Sequence, residues 1–89
     1  MRNSSASLWV LEYRTLNVGI FIYENAEVLD FSGPFEVFST ASRLSNPEGF
    51  FNVFLVAEEN SSVCARGGYN INPHYDLNDH PKIDLLIVV

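Results

Sequence analysis

Hydrophobic residues fall along this chain in three short apolar runs, with one longer helical pattern between the first two. Leu16 to Tyr23 (LNVGIFIY) is continuous rather than alternating, and β-branched and aromatic residues dominate it. That pattern suits a strand buried on both faces, as in a parallel sheet. Phe50 to Ala57 (FFNVFLVA) and Ile83 to Val89 (IDLLIVV) read the same way. From Ala26 to Leu44 the spacing changes. Val28, Phe31, Phe35 and Phe38 stand at i, i+3, i+7 and i+10, which is one face of a helix. Gly33-Pro34 interrupts this pattern. Pro34 has no N–H to give, so the pair predicts either a kink or the proper start of the helix. Asn46-Pro47-Glu48-Gly49 is a turn cluster that ends it.

Between the second and third runs the chain is polar. Glu58 to Ser62 reads as a turn, and Val63 to Ile71 as a small hairpin or an excursion around Gly67-Gly68. Asn72 to Lys82, with its prolines and aspartates, reads as loop. Residues 1–15 read as an N-terminal extension, with a strand or turn around Leu8 to Tyr13. The order strand, helix, strand, excursion, strand begins with a βαβ unit, so a parallel sheet with a right-handed crossover is expected. The fold class is α/β, with the first strand in the middle of three. One long helix cannot cover both faces of such a sheet, so residues 16–89 are expected to be part of a larger domain or to dimerise heavily. The third run is uncharged from Leu85 to Val89, which marks an open strand edge prone to association.

Composition narrows the function classes. Eleven acidic residues against five basic ones give a net charge of −6. Nucleic acid and anionic membrane, which both need a basic surface, are therefore disfavoured as partners. The chain is 47% hydrophobic and 18% charged, too apolar for disorder. A single cysteine, Cys64, excludes an intrachain disulfide and a Cys-based zinc cage. No run approaches the ~20 apolar residues of a membrane span. Leu8 to Leu11 is shorter than the roughly 7–15 apolar residues of a signal-peptide core. A cytoplasmic location is expected.

The segment NVGIFIYENAEVLDFSGPFEVFSTAS resembles the opening of the DJ-1/PfpI superfamily, which has a class I glutamine amidotransferase-like fold. It is most similar to the branch with isonitrile hydratase and the sensor domains of AraC-type regulators. Leu29-Asp30, Gly33-Pro34 and Glu36-Val37-Phe38 match that branch's LD-x-x-GP-x-EVF pattern. FNVFLVAEE, Gly67-Gly68 before Ile71-Asn72-Pro73, and the final apolar run fit as well. The resemblance covers about residues 17–89 and implies a three-layer, flavodoxin-like parallel sheet of which this chain is the N-terminal half. The family's nucleophilic cysteine elbow and Gly-Gly oxyanion loop are not in these 89 residues, so the chain alone is expected to be inactive.

Asp30 is the residue that stands out. It follows the first strand, near the rim where open α/β sheets bind ligands. Protonated, a carboxyl there stabilises a neighbouring thiolate by donating a hydrogen bond. Ionised, it serves as general base. By position alone a helix-cap role comes first. The resemblance reverses that order and makes Asp30 the acid/base partner of the absent cysteine. Gly33 and Pro34 are expected to form a wall of the substrate pocket, or simply the helix start. Glu36 reads as a solvent-facing helix residue, paired with Arg43 or with nothing. Cys64 lacks a nearby His and a strand-to-helix elbow, and reads as a small, partly buried hydrophobe. His74, His80, Asp76, Asp79 and Asp84 lack metal-ligand spacing and read as a solvated acidic loop. The resemblance implies no metal and no cofactor, a small-molecule ligand and a homodimer. Three functions stay open at this point: a cysteine-dependent hydratase or hydrolase, a ligand-sensing module of a regulator, and an inactive fragment.

Overall fold

The computed structural model describes residues 15–44 and 50–89. The expected strand or turn near Leu8 to Tyr13 and the turn at residues 46–49 lie outside them. The first apolar run forms β1 (Leu16–Phe21), and α1 follows (Val28–Leu44). The second run forms β2 (Phe51–Ala57). An excursion of two short strands comes next, β3 (Val63–Ala65) and β4 (Tyr69–Ile71). β5 (Tyr75–Asp76) and β6 (Leu85–Val88) complete the described elements.

The main sheet has four strands in the order β5-β2-β1-β6. Every pairing in it is parallel, and β1 lies between β2 and β6 as the three apolar runs predicted. Leu16 pairs with Phe51 and Val18 with Leu85, so Ile20 lies level with Leu55 on one side and Ile87 on the other. This alignment puts one alternating set of side chains beneath α1. Ile20, Ile22, Leu55, Ala57, Val63 and Ala65 surround Phe31, which is 2% exposed. Val28 and Phe35 pack against the same cluster from the helix side. Phe38 meets Phe51 edge to face at 5.0 Å. Full burial of side chains of this size is worth about 1.5–3 kcal/mol each.

α1 begins six residues ahead of Pro34 and carries the proline inside it. Pro34 cannot donate to the Asp30 carbonyl, and a helix interior normally resists that loss. Starting the helix at Gly33-Pro34 would remove Phe31 from the buried face, and that packing outweighs the missing bond.

The opposite sheet face is covered in part by the chain leading into β6. A Cβ on Gly19 would lie 3.0 Å from Ile83 Cδ1 and 3.3 Å from Phe54 Cε1. A side chain at this position would make the Ile83 side chain give way by a few tenths of an ångström. Tyr75 adds an edge-to-face contact with Phe54 at 5.1 Å. Beyond this cover the outer strand β6 stays open, with Leu86 52% and Val88 64% exposed. No helix among the described residues is long and apolar enough to cross a membrane.

The 72–82 segment departs from the loop expected there, because Tyr75 and Asp76 join the sheet beside Val56 and Ala57. The 63–71 excursion is the expected hairpin, pairing Val63 with Ile71 and Ala65 with Tyr69. Gly67 and Gly68 turn it with φ of +81° and +79°, a region that side chains rarely tolerate.

Candidate functional site

The carboxyl ends of β1 and β2 open onto a cleft of about 230 Å³. One wall is Phe21 to Glu24, where β1 ends; the other runs from Ala57 through Glu59 to Ser61, Ser62 and Val63. In open parallel sheets this rim is the usual ligand position, because strand ends and loop peptides converge there. Glu24, Glu58 and Glu59 line the cleft and, among the described residues, no Lys or Arg does, so the field of these residues favours neutral or cationic groups over anions.

Backbone and side-chain bonds to the β3–β4 hairpin hold the β1–α1 loop in shape. Asn25 adopts a left-handed φ of +66°, which asparagine accepts more readily than most residues. Its N–H donates to the Cys64 carbonyl at 2.9 Å. The Cys64 N–H in turn donates to Glu24 Oε2 at 3.1 Å. Arg66 donates its N–H to the Ala26 carbonyl at 2.9 Å, and its guanidinium lies 3.3 Å from the Glu27 carboxylate. That ion pair is exposed and contributes little by itself. Tyr23 closes the other side by donating its hydroxyl to the Val89 carbonyl.

Asp30 is exposed in the first turn of α1, where its N–H donates to the Glu27 carbonyl at 3.1 Å. A carboxylate at that point is favourably placed toward the positive end of the helix. Gly33 and Pro34 are half-buried within α1, and a Cβ on Gly33 would meet nothing within 4 Å. None of these three residues is among those that line the rim cleft.

Glu36 does not pair with Arg43. It accepts a bond from the Thr40 hydroxyl at 3.1 Å, while Arg43 donates to Ser39 and Thr40. Cys64 is half-buried in β3, opposite Asn70. In the 72–84 segment the Asp79 N–H donates to the Asp76 carbonyl at 3.3 Å, and other bonds lead elsewhere. His74 bonds β2, Asp76 accepts from the Asn78 N–H, His80 faces the Pro81 carbonyl and Asp84 bonds β1.

The sequence reading overlooked Glu24 and treated Glu58 to Ser62 only as a turn. Their signal was positional: each directly follows a strand of the predicted parallel sheet, and those strand ends form the rim. No protein-family model matches this chain, and searches of curated proteins and of solved structures return no match.

Proposed function

We propose that this chain forms the front half of a DJ-1/PfpI-like domain, a cysteine-dependent hydratase or hydrolase of the isonitrile hydratase kind acting on a small molecule. Asp30 is the acid/base partner in this reading, and the thiol comes from outside these 89 residues. The observation that carries it is the position of Asp30: an exposed carboxylate in the first turn of the helix that follows the central strand of a parallel sheet. A thiol brought to the same end of the sheet would meet that carboxylate at the rim. The carboxyl then either stabilises the thiolate or moves a proton between water and the reacting carbon. Gly33 and Pro34 are the pocket wall in this reading, although neither lines the rim cleft described above.

Positioned proton transfer contributes typically 10²–10⁴-fold. Asp30→Asn, in the protein that carries the elbow cysteine, is therefore expected to lower isonitrile hydration by at least about a hundredfold with the circular dichroism unchanged. Full turnover in that variant removes Asp30 from the mechanism. Ligand binding without turnover in the unsubstituted protein selects the sensor reading. The same proposal includes a homodimer, supported by the exposed Leu86 and Val88 on the outer strand. A monodisperse monomer in light scattering excludes that association.

A further inference from the structure

His74 sits one residue ahead of β5, level with Leu55 in the parallel register. Its N–H donates to the Leu55 carbonyl at 2.9 Å, and its ring nitrogen Nδ1 accepts the Leu55 N–H at 2.8 Å. The side chain thus occupies the place that a strand carbonyl would take if the ladder continued. A peptide N–H can only donate, so Nδ1 must carry a free lone pair and the ring proton sits on Nε2. The ring lies parallel to Phe35 of α1, 2° from coplanar, with centroids 6.2 Å apart.

We propose that His74 is a proton-operated latch on the sheet edge. Neutral, it holds the start of β5 on β2; protonated, it lets that edge go. An imidazolium has two N–H donors and no acceptor, so taking up a proton from solvent at Nδ1 sets a donor against the Leu55 N–H. The bond is lost and a peptide donor is left without its partner. What remains on this edge is the His74 N–H bond to the Leu55 carbonyl, a ladder of two residues and the Tyr75 contact with Phe54.

The two neighbouring elements that face the ring present no ionisable group to it. α1 presents the uncharged Phe35 ring, and β2 presents the Leu55 peptide. On the histidine's own segment the adjacent ionisable residues are Tyr75 and Asp76, and Asp76 Oδ1 accepts the Asn78 N–H at 2.9 Å. At the far end the segment stays anchored. Asn17 Nδ2 donates to the Lys82 carbonyl at 2.7 Å, and Asp84 Oδ2 accepts the Asn17 N–H at 2.8 Å. Acid therefore frees a flap between residues 72 and 82 that remains attached where β6 begins.

Amide hydrogen exchange of the full chain, followed by NMR at about pH 8 and about pH 5.5 on either side of the usual histidine range, tests this. After correction for intrinsic exchange, protection at the Leu55 and His74 amides should fall roughly five- to tenfold at the lower pH, the scale of one lost hydrogen bond. Asn17 should keep its protection, because a carboxyl retains an acceptor oxygen in either protonation state. In His74→Asn the amide oxygen still accepts but has no proton to gain, so the pH response should vanish. His80→Asn should leave it intact. Equal protection at both pH values overturns the proposal. So does an equal fall at Asn17, a response that persists in His74→Asn, or one that disappears in His80→Asn. If His74→Asn does not fold, the contrast between Leu55 and Asn17 in the unsubstituted chain decides.

Discussion

The starts of β5 and β6 are built on one plan and differ in a single chemical choice. At each, the residue before the strand donates its own N–H to a carbonyl of the neighbouring strand and takes that residue's N–H with its side chain. His74 does this to Leu55, at 2.9 and 2.8 Å. Asp84 does it to Asn17, with both bonds at 2.8 Å. A parallel strand that begins abruptly strands a donor on its neighbour, and a short polar side chain one residue earlier satisfies it. A carboxylate makes that bond charge-assisted and permanent. An imidazole makes it neutral and conditional on the proton. The sequence carries the outer strand β6 on an apolar run, but β5 is two residues long and depends far more on its clamp.

This comparison breaks most clearly at Asp84. Asp84→Ala leaves the half-buried Asn17 N–H without its acceptor, and is expected to cost about 1.5–3 kcal/mol, the range for a hydrogen bond to a charged group. Urea denaturation of the variant measures it. A change below about 0.5 kcal/mol would mean that the β6 clamp is dispensable and that the apolar strand holds itself in place.

The glycines sharpen the same contrast with smaller effects. At Gly19 a methyl group enters space already held by Ile83 and Phe54. Gly19→Ala is therefore expected to destabilise by about 1–2 kcal/mol, because the Ile83 and Phe54 side chains must give way. At Gly33 the added methyl meets nothing, and the residue lies inside a helix. Gly33→Ala should stabilise by about 0.5–1 kcal/mol. Thermal melts of the two variants are expected to move in opposite directions. A destabilised Gly33→Ala would show that this stretch of α1 is packed more tightly than its open surroundings indicate.

Much of the sheet was legible in the chain. The runs 16–23, 50–57 and 83–89 became β1, β2 and β6, trimmed at their ends, because continuous apolar residues have few ways to be buried other than as inner strands. The phenylalanine spacing set the buried face of α1. The Gly67-Gly68 turn was equally plain. The start of α1 was legible in the spacing from Ala26, and the helix begins at Val28; Gly33-Pro34 left a start at Pro34 open, and what Phe31 gains from the sheet closes that alternative. β5 was hidden. Tyr75-Asp76, between a proline and a polar turn, has no strand signature, and becomes a strand only because the edge of β2 is free beside it.

For the candidate site, the sequence alone determined that acidic residues follow the strands of a parallel sheet, with Asp30 in the first turn of the helix. Order along the chain and local propensity are enough for that. What only the tertiary structure decided is which of them converge: Glu24, Glu58 and Glu59 at one cleft, and Asp30 on the exposed first turn of α1. The same holds for the two clamps. His74 and Leu55 are 19 positions apart and Asp84 and Asn17 are 67, and nothing in either local stretch encodes its partner. A bond between a side chain and a distant peptide exists only after the parallel register has brought the two level, so folding decides it and composition cannot.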